Sequence, residues 1–117
     1  MTRARLPNRR ETTTIEIEHY TPQGDPQPLA ISIGCYEDGT AAEVFVEVPY
    51  QLNRTFNALL GKDVATLISI ALQHGASLEE LQAAMGRGEI NVMGEMVDRP
   101  HTLAGAVLDA MVKELTQ

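Results

Sequence analysis

Two runs of alternating apolar residues, at 31–37 and 40–48, meet at the dipeptide Asp38-Gly39. An Asp-Gly between two such runs is typical of a β-hairpin closed by a two-residue type I′ turn, in which both central residues have positive φ. The turn type matters because it sets the strand register. The predicted pairs run away from the turn in this order: Glu37 with Thr40, Tyr36 with Ala41, Cys35 with Ala42, Ile33 with Val44 and Ile31 with Val46.

This hairpin would have one apolar and one polar face, because side chains alternate along a strand. Cys35, the only cysteine of the chain, falls on the apolar face. Free cysteine is often buried and then behaves as a small apolar residue, which is our interpretation here. Tyr36 and Phe45 fall on the polar face among acids. An aromatic residue there indicates either an interface, such as that of a homo-oligomer, or a segment that covers this face. The open edges of a three-stranded sheet also favour association into a homo-oligomer.

The N-terminal part of the chain predicts one more strand. Residues 12–20 alternate Ile15 and Ile17 with glutamates, which is typical of a half-buried strand. Three prolines within residues 21–28 then predict a loop, because proline donates no backbone hydrogen bond.

Helical spacing of apolar residues begins at Asn53 and predicts a long helix, with Gly61 as a position where it could break and Gly75 as its C-terminal glycine. Ser77 predicts the start of a second helix, and a third begins near Thr102. Between them, residues 86–100 predict a turn, a short strand around 90–93 and a loop. The sequence thus predicts an α+β fold: a small antiparallel sheet of three or four strands followed by three helices that pack on one face.

Charge is segregated along the chain. Four arginines lie within the first ten residues, whereas the remaining 107 residues carry five basic and sixteen acidic side chains, a net charge of −11. We expect residues 1–12 to be a flexible basic arm and residues 13–117 to form one domain. The arm could contact nucleic acid or a partner protein through its arginines, which are Arg3, Arg5, Arg9 and Arg10.

The residues that could carry chemistry are few. His19, His74 and His101 lie far apart, and no pair of histidine or cysteine has the spacing of metal ligands, so we predict neither a metal site nor a cofactor. A small enzyme built on His19, His74 or Cys35 is the least favoured of the hypotheses, because no cluster has the required spacing. The N-terminus lacks the apolar core of a secretion signal, and no apolar run is long enough to span a membrane. A cytoplasmic protein without membrane contact is expected.

Several motifs occur in an order that resembles the TSCPD domain, a module found toward the C-terminal end of adenosylcobalamin-dependent ribonucleotide reductases. The matching stretches cover nearly the whole chain. They are RARLPNRRETTTIEI from Arg3, ISIGCYEDGTAAEVFVEV from Ile31, LISIALQHGASLEEL from Leu67 and LDAMVKEL from Leu108. The most specific part is the combination of Arg-Leu-Pro, the hairpin pattern G-x-Y-x-D-G-x-x-x-E-V-F and the helix end I-S-x-A-L-x-x-G.

The chain departs from this family at the motif that names it. Thr-Ser-Cys-Pro-Asp followed by Ala would fall on residues 105–110, where only Asp109 and Ala110 match. A role that depends on that cysteine is therefore lost. Ribonucleotide reduction needs a radical site and reducing thiols, and this chain has one thiol, so we expect no catalysis by the chain alone.

The resemblance implies a non-catalytic accessory or regulatory module linked to deoxyribonucleotide metabolism, with a ribonucleotide reductase catalytic subunit or a related protein as its partner. The alternative is a regulatory protein that binds nucleic acid through the basic arm. Salt dependence distinguishes the two, because binding of phosphates by arginines weakens steeply as ionic strength rises.

Overall fold

The computed structural model describes residues 12–49 and 56–116. In chain order these residues form β1 (Thr12–Tyr20), β2 (Pro26–Cys35), β3 (Ala41–Glu47), α1 (Phe56–Gln73), α2 (Leu78–Ala83), β4 (Arg87–Val92), β5 (Glu95–Pro100) and α3 (Leu103–Leu115). Strands β1, β2 and β3 form an antiparallel sheet in that order, and β4 pairs with β5 in a separate ribbon. The predicted α+β fold is confirmed, and strand β1 has the predicted limits.

The turn between β2 and β3 differs from the predicted type I′ turn. The Gly39 N–H donates to the Tyr36 carbonyl (2.9 Å), and the Tyr36 N–H donates to the Thr40 carbonyl (2.9 Å). Gly39 has a φ of +89°, whereas Asp38 has no positive φ. The loop therefore has three residues, with glycine at the one position that needs a left-handed backbone.

A β-bulge reconciles this longer loop with the apolar pattern. Ile33 pairs with Val44 and Ile31 with Val46, as predicted, but Cys35 pairs with Ala41 instead of Ala42. A three-residue loop shifts the pairing by one residue, and that shift would turn the apolar side chains of one strand to the wrong face. The irregularity between Gly34 and Cys35 absorbs the extra residue, so the core pairs keep their register.

Two further predictions about irregular segments are wrong. Strand β2 begins at Pro26, within the segment 21–28 that was expected to be a loop. Among the described strands, β2 pairs only with β1 up to Leu29. A proline nitrogen can therefore face the side without a neighbouring strand, where no hydrogen-bond donor is needed.

The second wrong prediction concerns residues 86–100, which form the β4–β5 ribbon instead of a turn, one short strand and a loop. Met93 and Gly94 both have positive φ (53° and 92°), and Val92 pairs with Glu95. A two-residue turn with these φ signs is of type I′, and methionine gives no signal for such a turn.

The core lies between the sheet and helices α1 and α3. The residues of this core include Ile31, Ile33, Val44 and Val46 from the sheet, Ala65, Ile68 and Leu72 from α1, and Val107, Leu108 and Met111 from α3, all of them buried. Helix α1 runs without a break through Gly61, where an added Cβ would lie 2.8 Å from Leu103 Cδ2 and 3.2 Å from Val46 Cγ1. The glycine therefore permits a close approach of α1 to the sheet and α3.

The helix ends agree largely with their predicted signals. Gly75 ends α1 with a φ of +100°, and the N–H groups of Gly75 and Ala76 donate to the carbonyls of Leu72 and Ala71 (3.0 Å each), a Schellman motif. Ser77 Oγ accepts from the Glu80 N–H (3.1 Å) at the start of α2. The predicted start of α1 at Asn53 lies outside the described residues. Among residues 12–49 and 56–116, no helix combines the length and apolar character that a membrane span requires.

Candidate interaction surfaces

The four arginines of the basic arm lie outside the described part of the chain. The structure therefore does not test Arg3, Arg5, Arg9 and Arg10 as contacts, and their role stays a prediction.

Cys35 is a partly buried residue that packs against the core from the end of β2. Burial raises the pKa of its thiol, and the negative charge of Asp38 adds to the increase. A raised pKa keeps the sulfur protonated and therefore poorly nucleophilic at neutral pH. This agrees with the interpretation of Cys35 as a small apolar residue.

The candidate histidines occupy different environments. His19 is only 5% exposed. Burial lowers its pKa, with the positive charge of Arg99 as a further cause. His74 is exposed at the end of α1, where its backbone N–H donates to the Ile70 carbonyl (3.1 Å). Across residues 12–49 and 56–116, no group of three or more His, Cys, Asp or Glu side chains is placed to hold a metal ion.

Asp109, one of the two residues that match the family motif, joins three elements. Its carboxylate accepts from Gln82 Nε2 (2.9 Å) on α2 and from Arg87 Nη1 (3.2 Å) on β4. Arg87 Nε also donates to Asp98 Oδ2 (2.8 Å). These contacts hold α3 against α2 and the β4–β5 ribbon, which is a structural role.

Phe45 lies on the outer face of the sheet, where the polar face was predicted. It pairs with Ser32, whose Oγ lies 2.9 Å from Thr14 Oγ1, and it is 50% exposed. In the next row of the sheet, Glu16 and Glu47 flank Ala30 and are both exposed. We call this surface, defined by Thr14, Glu16, Ser32, Phe45 and Glu47, the outer sheet face. It presents one large aromatic ring beside acids.

Tyr36 lies away from Phe45. It lines a groove formed by the β2–β3 turn, the end of α1 and the end of α3, with Leu72 and Leu115 among its neighbours. Tyr36 lies four residues along the strand from Ser32, the partner of Phe45, a distance of about 13 Å. The two aromatic residues therefore do not form one continuous surface.

The outward edge of β3 is partly closed by helix α1. The Val44 N–H donates to Ser69 Oγ (2.9 Å), and the same hydroxyl lies within hydrogen-bonding distance of the Val44 carbonyl (3.2 Å) and the Ala65 carbonyl (2.9 Å). Gln73 Nε2 donates to the Ala42 carbonyl (3.0 Å). These side chains occupy the backbone groups that an added strand would need, so the expected pairing at a sheet edge is hindered here.

Helix α1 presents a second apolar surface that faces away from the sheet. Leu67 is 67% exposed and Leu60 is 42% exposed, and Ile70 also belongs to this side. Asp63 and His74 lie on the same side and are exposed as well. We call these five residues, Leu60, Asp63, Leu67, Ile70 and His74, the outer α1 stripe. Apolar residues occur on most sides of the second half of α1, so the periodicity alone does not identify the side that the sheet covers.

Comparison with known proteins supports the resemblance noted from the motifs. The family model of the TSCPD domain matches residues 3–117. Searches of curated proteins and of solved structures found no match. Because the family match extends over nearly the whole chain, this protein belongs to the TSCPD domain family.

Proposed function

We propose that the protein is a non-catalytic accessory module that binds the catalytic subunit of a ribonucleotide reductase, or a related enzyme of deoxyribonucleotide metabolism. The observation that carries this proposal is the family match over residues 3–117, because TSCPD domains are accessory domains associated with ribonucleotide reductases.

The environment of the candidate catalytic groups supports a binding role. The single thiol is partly buried with a raised pKa, and His19 is buried with a lowered pKa. Both groups therefore favour their neutral forms. His19 is buried, and Cys35 packs against the core from the end of β2. These properties suit residues that maintain the fold.

The outer sheet face is the contact surface that we assign to the partner enzyme. Phe45 supplies an exposed aromatic side chain of the kind that anchors protein interfaces. Glu16 and Glu47 supply negative charge around it, which suits a partner surface with basic side chains.

Affinity purification of the tagged full chain from its native cell, at low and at moderate salt, tests this function. We expect a reductase catalytic subunit to be recovered at both salt concentrations with the wild-type chain and to be lost with Phe45→Ala. Met93→Ala is the matched control, because Met93 is an exposed apolar residue on the turn of the separate β4–β5 ribbon. Absence of any such enzyme from the wild-type eluate would contradict the proposal.

Nucleic-acid binding by the basic arm is a second candidate, favoured by the segregation of four arginines from an acidic body. If four arginines neutralise phosphates, the slope of log affinity against log salt should be about −3 to −4. Recovery of nucleic acid that disappears at moderate salt and with arginine-to-glutamine variants of the arm would favour this function. Salt-insensitive recovery, or none, would exclude it.

A further inference from the structure

Helix α1 carries apolar side chains on two opposite sides, and the sheet covers only one of them. Ile68 and Leu72 are buried against the sheet, whereas Leu67 is 67% exposed on the other side. A helix that is apolar all round is normally buried all round. We therefore expect another protein surface to cover the outer side of α1.

The spacing of the outer α1 stripe is that of a helix–helix seam. Its residues occupy positions 60, 63, 67, 70 and 74, with alternating steps of three and four. This is the spacing of the a and d positions of a coiled coil, whose side chains face a second helix. All five residues are exposed, so no described element of the same chain occupies that place.

The stripe contains one acidic and one basic side chain, Asp63 and His74. Asp63 lies toward the N-terminal half of α1 and His74 at its C-terminal end, with Leu67 and Ile70 between them. An antiparallel copy of the same helix, related by a two-fold axis near residues 68 and 69, places Leu67 opposite Ile70 and Asp63 opposite His74. The symmetry forms each of these contacts twice.

The alternative arrangement of two copies is less favourable. A parallel pair would bring Asp63 against Asp63 and His74 against His74, which places groups of like charge together. The antiparallel pair also aligns the helix dipoles favourably. The stripe is therefore self-complementary in one direction only.

We propose that the outer α1 stripe is the interface of a homodimer, in which α1 packs antiparallel against α1 of a second copy. This dimer does not use the outer sheet face, so it is compatible with binding of another enzyme there and does not depend on that function. It also does not use the edge of β3, which Ser69 and Gln73 partly close.

A charge exchange between the two polar positions tests the register. The full-length chains are compared by sedimentation equilibrium at pH 6. Wild type should approach twice the monomer mass of 12.8 kDa as concentration rises. Asp63→Arg alone and His74→Asp alone should each weaken the dimer severalfold, because each removes an attractive pair or creates a repulsive one.

Combining the exchanges should restore association in two ways. The double variant Asp63→Arg/His74→Asp pairs opposite charges again at both ends. A mixture of the two single variants also gives two attractive pairs in each mixed dimer, so it should associate more tightly than either variant alone. Circular dichroism of each variant verifies that it is folded.

A wild-type chain that stays monomeric at every concentration would overturn the proposal. So would a dimer that neither single variant weakens, because its interface would lie elsewhere. Weakening by both single variants without recovery in the double variant or the mixture would likewise refute the antiparallel register.

Discussion

The two sides of helix α1 contain similar residues but have different surroundings. On the inner side, Ala65, Ile68 and Leu72 are no more than 7% exposed. On the outer side, Leu60 and Leu67 are 42% and 67% exposed. The inner side is explained by the core of one chain. No described residue of the same chain covers the outer side. The inner side therefore stabilises the fold of one chain, whereas we infer that the outer side forms the dimer interface.

The largest effect is expected from a change on the inner side. Leu72→Ala removes a buried side chain from the core beneath the sheet, and it should reduce the free energy of unfolding by about 2–5 kcal/mol. Urea titration at a concentration low enough to give monomers measures this loss. A decrease below about 1 kcal/mol would show that the inner side is packed less tightly than the structure indicates.

A smaller loss of unfolding free energy is expected from removing the hydrogen bond between Ser69, on the inner side of α1, and Val44 of β3. Ser69→Ala leaves the Val44 N–H without the hydroxyl that accepts its hydrogen bond, which should cost about 1–3 kcal/mol of unfolding free energy. Thr66→Ala is the matched control, because the Thr66 hydroxyl is exposed and donates to the Lys62 carbonyl of its own helix. We expect that control to change stability by less than about 0.5 kcal/mol. Equal losses in the two variants would contradict the role of Ser69 at the edge of β3.

The buried side of the molecule also predicts a pH dependence. Burial, together with the charge of Arg99, lowers the pKa of His19. The unfolded chain therefore binds this proton at a higher pH than the folded chain does. The stability contribution of neutral His19 is complete above the ordinary pKa of about 6.5 and is lost as the pH falls through the lower folded-state pKa.

Thermal melts of wild type and His19→Gln between neutral and acidic pH measure this contribution. The wild-type chain should lose more stability than the variant as the pH is lowered. The pH profile of His74→Gln is measured in the same way, as a comparison with an exposed histidine on the outer side of α1. Identical pH profiles for wild type and His19→Gln would contradict the lowered pKa.

The smallest effect on the monomer is expected from the outer side of α1. Leu67→Gln replaces an exposed apolar side chain and should alter the unfolding free energy of the monomer by less than about 0.5 kcal/mol. Measurement is again by urea titration at low concentration. A loss comparable to that of Leu72→Ala would mean that Leu67 packs within its own chain.

Much of the sheet could be predicted from the sequence, because an apolar face leaves few choices of register. The limits of β1 follow from its alternation. The pairs Ile33–Val44 and Ile31–Val46 were predicted from a two-residue turn together with a continuous apolar face. The turn and its bulge could not be predicted in this way. Asp-Gly suits more than one loop length, and the bulge depends on the balance between that loop and the core pairs.

The contact surfaces were less predictable than the fold. Phe45 was identified because it interrupts a polar face, and the structure places it on the outside of the sheet. The outer α1 stripe was not identified, because periodicity cannot distinguish the covered side of a helix that is apolar on both sides. The β4–β5 ribbon was missed because Met93 adopts a positive φ that its side chain does not signal.

Sedimentation equilibrium of wild type beside Leu67→Gln is the most direct test of the claim that the inner side of α1 forms the core and the outer side forms a dimer interface. We predict that wild type associates toward a dimer of 12.8 kDa chains, and that Leu67→Gln, although as stable as wild type at low concentration, weakens this association about tenfold or more. A wild-type chain that remains monomeric, or a variant that associates as strongly as wild type, would contradict the account.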